Sequence, residues 1–165
     1  LPGVDPRRIG IAGHSYGGKW ALFAAALHEP FAACAVSDPG VSWDESRANV
    51  NYWEPWYLGR ESGRERTPGL VTPDNPRTGA YRELLAGGHT LAELESLLVP
   101  RPFLVSGGSE DPPERWADLA PLVALNERLG YRNRIGLTSR PGHDPTPESN
   151  AALVEFFVRF LGNPE

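Results

Sequence analysis

A chain of 165 residues, 40% of them hydrophobic, is long enough to bury one core and shows no composition break that would divide it into two domains. Its formal net charge is -5 and its basic residues form no cluster, which argues against nucleic acid or an anionic membrane as a partner. Cys34 is the one cysteine, so neither an intrachain disulfide nor a cysteine-based zinc site can form.

In chain order, Ile9 to Ala12 reads as a buried parallel strand and Gly18 to Glu29 as a helix whose alanines allow close packing on a sheet. Between them stands Gly13-His14-Ser15-Tyr16-Gly17, a G-x-S-x-G elbow that lifts a serine above the sheet at a strained strand-to-helix turn. The same residues, Gly13 to Lys19, also fit the phosphate loop G-x-x-x-x-G-K. The next residue is Trp20, however, and an indole cannot replace the hydroxyl that this loop needs to hold magnesium, so the nucleotide reading is set aside. Ala32 to Ser37 is the next strand, and the Asp38-Pro39-Gly40 turn places a carboxylate at the same edge.

From Val41 to Gly88 the periodicity is lost and Pro and Gly recur, as in a loop-rich insertion. Trp43, Tyr52, Trp53, Trp56 and Tyr57 are interleaved there with polar residues. Such aromatics suit sugar rings in a lid over a substrate cleft, and they equally suit packing of the insertion onto the body. Thr90 to Leu98 regains helix character, with Thr90 and Glu93 spaced as a capping box. Pro102 to Gly107 is a short strand followed by Glu110 and Asp111. Trp116 to Leu129 is an amphipathic helix, with Leu119, Leu122, Val123 and Leu129 on or near one face and Gly130 as its stop. Asn133 to Ser139 is the last strand and leads into Arg140-Pro141-Gly142-His143-Asp144. Thr146 caps the final helix, which has Pro147 at its first position and ends at Leu161.

Strand and helix alternate throughout, which predicts a parallel α/β sheet. Ser15, Asp111 and His143 each follow a strand and occur in the order nucleophile, acid, base of a serine hydrolase triad. Glu110 and Asp38 are alternative acids, read here as a loop acid and a turn cap. The backbone N–H of Tyr16 is expected to serve as the first oxyanion donor. Lys19 is expected to pair with a nearby acid and His14 to pack beside the elbow. No spacing of ligands suggests a metal, and no organic cofactor is implied.

With these residues in hand, the chain resembles the C-terminal half of an α/β-hydrolase, strands five to eight of a three-layer sandwich, along essentially its whole length. Gly13-His14-Ser15-Tyr16-Gly17-Gly18-Lys19, the Asp38-Pro39-Gly40 turn and the Gly142-His143-Asp144-Pro145-Thr146-Pro147-Glu148 run are similar to the dienelactone hydrolase and acetyl xylan esterase-like group. The resemblance implies a serine esterase acting on acylated carbohydrate esters without metal or organic cofactor. Glucuronoyl esterases, a related group, carry arginine directly after the nucleophile where this chain has Tyr16, which argues against a uronic ester. A prolyl oligopeptidase-like peptidase shares the half-fold and is the alternative enzyme. A further alternative is a non-catalytic fragment that only self-associates, because loss of the neighbouring strand would leave an exposed sheet edge. The chain contains no methionine and begins at Leu1, so it reads as a fragment or processed product. It has no run of about 20 apolar residues that could span a membrane, and localisation stays open.

Overall fold

The computed structural model describes residues 2–47, 58–64 and 67–162, so Tyr52, Trp53 and Trp56 lie outside the described residues. In chain order the elements are β1 (Gly10–His14), α1 (Tyr16–Leu27), β2 (Ala33–Ser37), α2 (Gly79–Ala86), α3 (Leu91–Ser96), β3 (Phe103–Gly107), α4 (Trp116–Arg128), β4 (Ile135–Ser139) and α5 (Pro147–Leu161). The chain divides into two compact units, Leu1–Val41 with Leu94–Glu165, and Ser42–Glu93.

The larger unit holds one parallel sheet in the order β1-β2-β3-β4. Every residue of β2 and β3 is buried, as expected of central parallel strands that read as continuous small or apolar runs. The register explains the layers. Gly10 is paired with Ala33, so the two share a face, and a Cβ on Gly10 would strike Phe157 and Leu161 of α5. Cys34, one residue on, points to the other face, where its thiol lies 3.8 Å from the Ala21 carbonyl of α1. α1 and α5 therefore cover opposite faces, which makes the three-layer α/β sandwich.

Ala21, Leu22 and Ala25 of α1 meet this sheet, and Phe103, Val105, Leu119 and Leu122 complete the buried core. Burial pushes the Cys34 thiol up to about 12, so it stays a neutral core side chain. The α5 cap follows its sequence signal: Thr146 Oγ accepts the Ser149 N–H at 3.2 Å, and Ser149 Oγ accepts the Thr146 N–H at 2.8 Å. α4 keeps Leu119 and Leu122 inside, but Leu129 is 54% exposed, because the helix ends at Arg128 and the chain turns away at Gly130 with φ 83.

The smaller unit is more regular than its composition implied, since α2 forms inside the segment expected to be loop-rich. Thr78 closes the turn before it by donating to the Gly59 carbonyl at 2.7 Å. Buried Tyr81 donates to Glu45 at 3.0 Å and packs edge-on against Trp43, with ring centroids 5.6 Å apart. Glu93 does not close a capping box with Thr90; its carboxylate takes the His89 ring at 2.7 Å. Among the described residues no helix is long and apolar enough to cross a membrane, and no cluster of His, Cys, Asp and Glu could hold a metal ion.

Candidate active site

Ser15, the residue between β1 and α1, has φ 55 and ψ -122, a backbone conformation that costs on the order of 1–3 kcal/mol in a non-glycine residue. The turn is close-packed on one side only. A Cβ on Gly13 would lie 2.0 Å from the Gly17 carbonyl oxygen, and one on Gly18 would meet Pro39 at 3.0 Å, whereas the space beside Gly17 is open. The steric requirement for a bare backbone thus falls on Gly13, while Gly18 is in tight contact with Pro39 and Gly17 has open space beside it.

His143 stands on the loop after β4 with its ring between two partners. Nε2 is 3.0 Å from Ser15 Oγ, and Nδ1 is 2.7 Å from Asp38 Oδ2. A carboxylate only accepts, so Nδ1 carries the proton and Nε2 presents its lone pair to the serine hydroxyl. Ser15, His143 and Asp38 thus form one hydrogen-bonded series, and all three belong to the larger compact unit.

The carboxylate in contact with His143 is that of Asp38, not that of Asp111, the acid expected from the sequence. Asp38 directly follows β2, opens the turn with φ 52 and is fully buried. Besides His143, its carboxylate accepts the backbone N–H of Glu110 at 3.0 Å and of Asp111 at 2.8 Å. Asp111 returns the bond in kind: its own oxygens accept the N–H of Gly40 at 2.8 Å and of Val41 at 2.7 Å. The two carboxylates therefore clasp each other's loops. Both oxygens of Asp111 are occupied by amides of the acid turn, and desolvation, reinforced by the nearby Asp38 charge, pushes its carboxyl up to about 6. Glu110 contributes its backbone amide to Asp38. Gly108 makes the clasp sterically feasible, since a Cβ there would lie 2.7 Å from Asp38 Oδ2 and 2.3 Å from the Gly142 carbonyl.

Tyr16 opens α1, so its amide belongs to the helix N-terminus beside the nucleophile, where backbone N–H groups point away from the helix. Lys19 is buried and lies 4.2 Å from the Tyr16 ring centroid. His14 hands its Nδ1 proton to the Ser37 carbonyl at 3.0 Å, and its ring is 4.7 Å from that of His143. Trp43 lies in the other unit, packed on Tyr81.

Two residues that the sequence did not single out stand close to this arrangement. Arg140 is 7% exposed and reaches the backbone of the His143 loop. Glu95 is fully buried with neither carboxylate oxygen hydrogen-bonded, and desolvation together with the charge of Asp111 pushes its carboxyl well above the usual range. Neither has a motif; only the fold reveals that these ionisable side chains face inward.

A family model described as the prolyl oligopeptidase family matches residues 2–113, a span that contains Ser15 and Asp38. No curated protein matches the chain. Among solved structures, a carbohydrate esterase family 15 glucuronoyl esterase from Caldicellulosiruptor kristjansonii superposes with TM-score 0.71 at 24% identity, covering 100% of this chain and 46% of that one. The glucuronoyl esterase catalytic domain from Hypocrea jecorina gives TM-score 0.68 at 18% identity, covering 98% and 46%. A glucuronoyl esterase from Teredinibacter turnerae gives 0.64 at 23% identity, covering 94% and 41%. The chain thus spans less than half the length of the structures it resembles, and the likeness establishes the α/β-hydrolase fold.

Proposed function

The chain belongs to the prolyl oligopeptidase family, and from that premise we propose that it is the triad-bearing part of a serine hydrolase cleaving carboxylic esters of carbohydrates. The observation that carries this reading is the hydrogen-bonded series Ser15-His143-Asp38, with contacts of 3.0 and 2.7 Å just beyond the ends of β1, β4 and β2. Ser15 Oγ attacks the ester carbonyl while its proton passes to His143 Nε2, and Asp38 holds the ring and stabilises the imidazolium. Collapse of the tetrahedral intermediate breaks the bond to the leaving alcohol, which takes the proton from His143. Water, deprotonated by the same nitrogen, then attacks the acyl-serine and releases the acid. The Tyr16 amide serves the oxyanion as one donor.

The carbohydrate part of the substrate rests on the solved structures of similar fold, several of which bear the name glucuronoyl esterase. Tyr16 after the nucleophile favours an acylated sugar over a uronic ester. Trp43, Tyr52, Trp53 and Trp56 are proposed sugar contacts in a lid-like segment. A peptidase is the second reading, favoured by the description of the matched family. The test is turnover of acetylated xylan, a methyl glucuronate ester and a prolyl peptide anilide by the protein and its Ser15→Ala variant. Serine-dependent release of acetate is the expected result. Cleavage of the anilide alone would make it a peptidase, and cleavage of the glucuronate ester alone would overturn the acyl assignment.

A further inference from the structure

Among the described residues no carboxylate pairs with Arg140, although a buried arginine ordinarily needs one. Its guanidinium meets only neutral acceptors, and they come from three places. Nη1 donates to the carbonyl and hydroxyl of Ser106 at 2.8 and 3.1 Å and to the Gly107 carbonyl at 3.2 Å, all at the end of β3. Nη2 donates to Ser37 Oγ at 3.1 Å, at the end of β2, and to the His143 carbonyl. Nε donates to the Asp144 carbonyl at 2.8 Å.

We propose that Arg140 is the positioning residue of the catalytic base: its guanidinium ties the His143 loop to the ends of β2 and β3 and so sets the reach of His143 to Ser15. The proposal rests on the serine-hydrolase reading above. An arginine has five N–H groups, and the six acceptors here engage all of them. None is left for a substrate or an oxyanion, which separates Arg140 from a catalytic residue. Geometry supplies the need. His143 follows β4, the sheet's last strand, and its side chain is 38% exposed, so packing alone fixes the ring poorly. On the base loop itself, the two carbonyls that Arg140 holds are those of His143 and Asp144. With the guanidinium gone they would turn to water, and the loop would lose its link to both strand ends. A rigid planar fork is the group that can bridge three backbone segments at once, whereas an ammonium is a compact point charge with three donors.

The experiment compares wild type with Arg140→Ala and Arg140→Lys by p-nitrophenyl acetate hydrolysis and by proton NMR of the His143 Nδ1–H, identified by its loss in Asp38→Asn. Misplacing the base is expected to lower kcat about 10²-fold in Arg140→Ala with little change in KM. Millimolar ethylguanidinium should restore part of that loss, and Arg140→Lys should retain the charge yet stay well below wild type. The Nδ1–H resonance should broaden or vanish in Arg140→Ala while persisting in Ser15→Ala. Wild-type kcat in a folded Arg140→Ala, or an unchanged His143 resonance, would overturn the proposal. If Arg140→Ala does not fold, Arg140→Lys decides, and wild-type kcat and resonance in that variant would overturn it equally. A wild-type chain that turns over no ester would count against the hydrolase reading, whereas the resonance reports on the loop in either event.

Discussion

Two aspartates sit at neighbouring strand ends, and only the backbone decides which one reaches the imidazole. Ser15 and His143 were legible in the sequence because an elbow motif and a histidine just past the last strand define their places. The acid was not: Asp38 and Asp111 both follow strands, and the choice depends on the left-handed turn at Asp38, which swings its carboxylate under His143. Asp38→Asn is accordingly expected to lower kcat by about 10⁴-fold. Asp111→Asn, which keeps one acceptor for the Gly40 or Val41 amide, should cost far less. A larger loss for Asp111→Asn than for Asp38→Asn in the same ester assay would return the acid role to Asp111. The Asp111 carboxyl also leaves a signature in stability. Its value rises from 3.8 to about 6 on folding, so the folded state holds the proton more tightly than the unfolded chain. Its ionisation therefore costs stability as pH rises from about 4 to 6, on the order of 3 kcal/mol when complete, and nothing below that window. Urea midpoints measured across it should show a shallower decline for Asp111→Asn than for wild type. Glu95 is buried with both oxygens unpartnered, so Glu95→Met is expected to stabilise by about 1–3 kcal/mol in the same titration.

At the scale of elements, sequence periodicity found every strand and most helices, because parallel strands buried on both faces leave short apolar runs and the α5 cap leaves a Thr-Pro signature. It missed α2, where Pro and Gly on either side hid an eight-residue helix, and it overextended α4 to Leu129. It also could not foresee that the loops after β2, β3 and β4 lock together through Gly108. Gly108→Ala would thrust a methyl group to 2.3 Å from the Gly142 carbonyl and 2.7 Å from the Asp38 carboxylate. The expected outcome is a folded chain that loses at least about 10²-fold in kcat, as the acid and base loops move apart by fractions of an ångström. Native circular dichroism with undiminished turnover would show that the loops can give way without consequence.

For the whole molecule, the sheet has one strand edge of interest. β1 is paired on one side only among the described residues, and Ala12 lies exposed on it. Val154 and Val158, one turn apart on α5, are 61% and 65% exposed, and Trp20 on α1 is 58% exposed. A half-paired strand on a chain that also exposes large apolar side chains favours association, so the isolated chain is expected to sediment as more than a monomer, increasingly so with concentration. Ala12→Lys places a charge on that edge and should shift the distribution toward monomer. A monomer at every concentration would remove the edge from consideration. The limit of sequence reasoning at this scale is physical: periodicity reports which face of an element is apolar, not what lies beside the last strand.

The left-handed turn at position 38 also restricts how this protein can vary over time. With φ at 52, the site tolerates Asp, Asn and Gly with least strain, and of these only Asp brings a carboxylate. A glutamate, chemically the nearest substitute, would combine a longer reach with a backbone it adopts reluctantly. The acid is therefore confined by conformation before chemistry is considered, and drift at this position leads either to a neutral side chain or to a strained one. A lineage could change its acid only by rebuilding the turn itself.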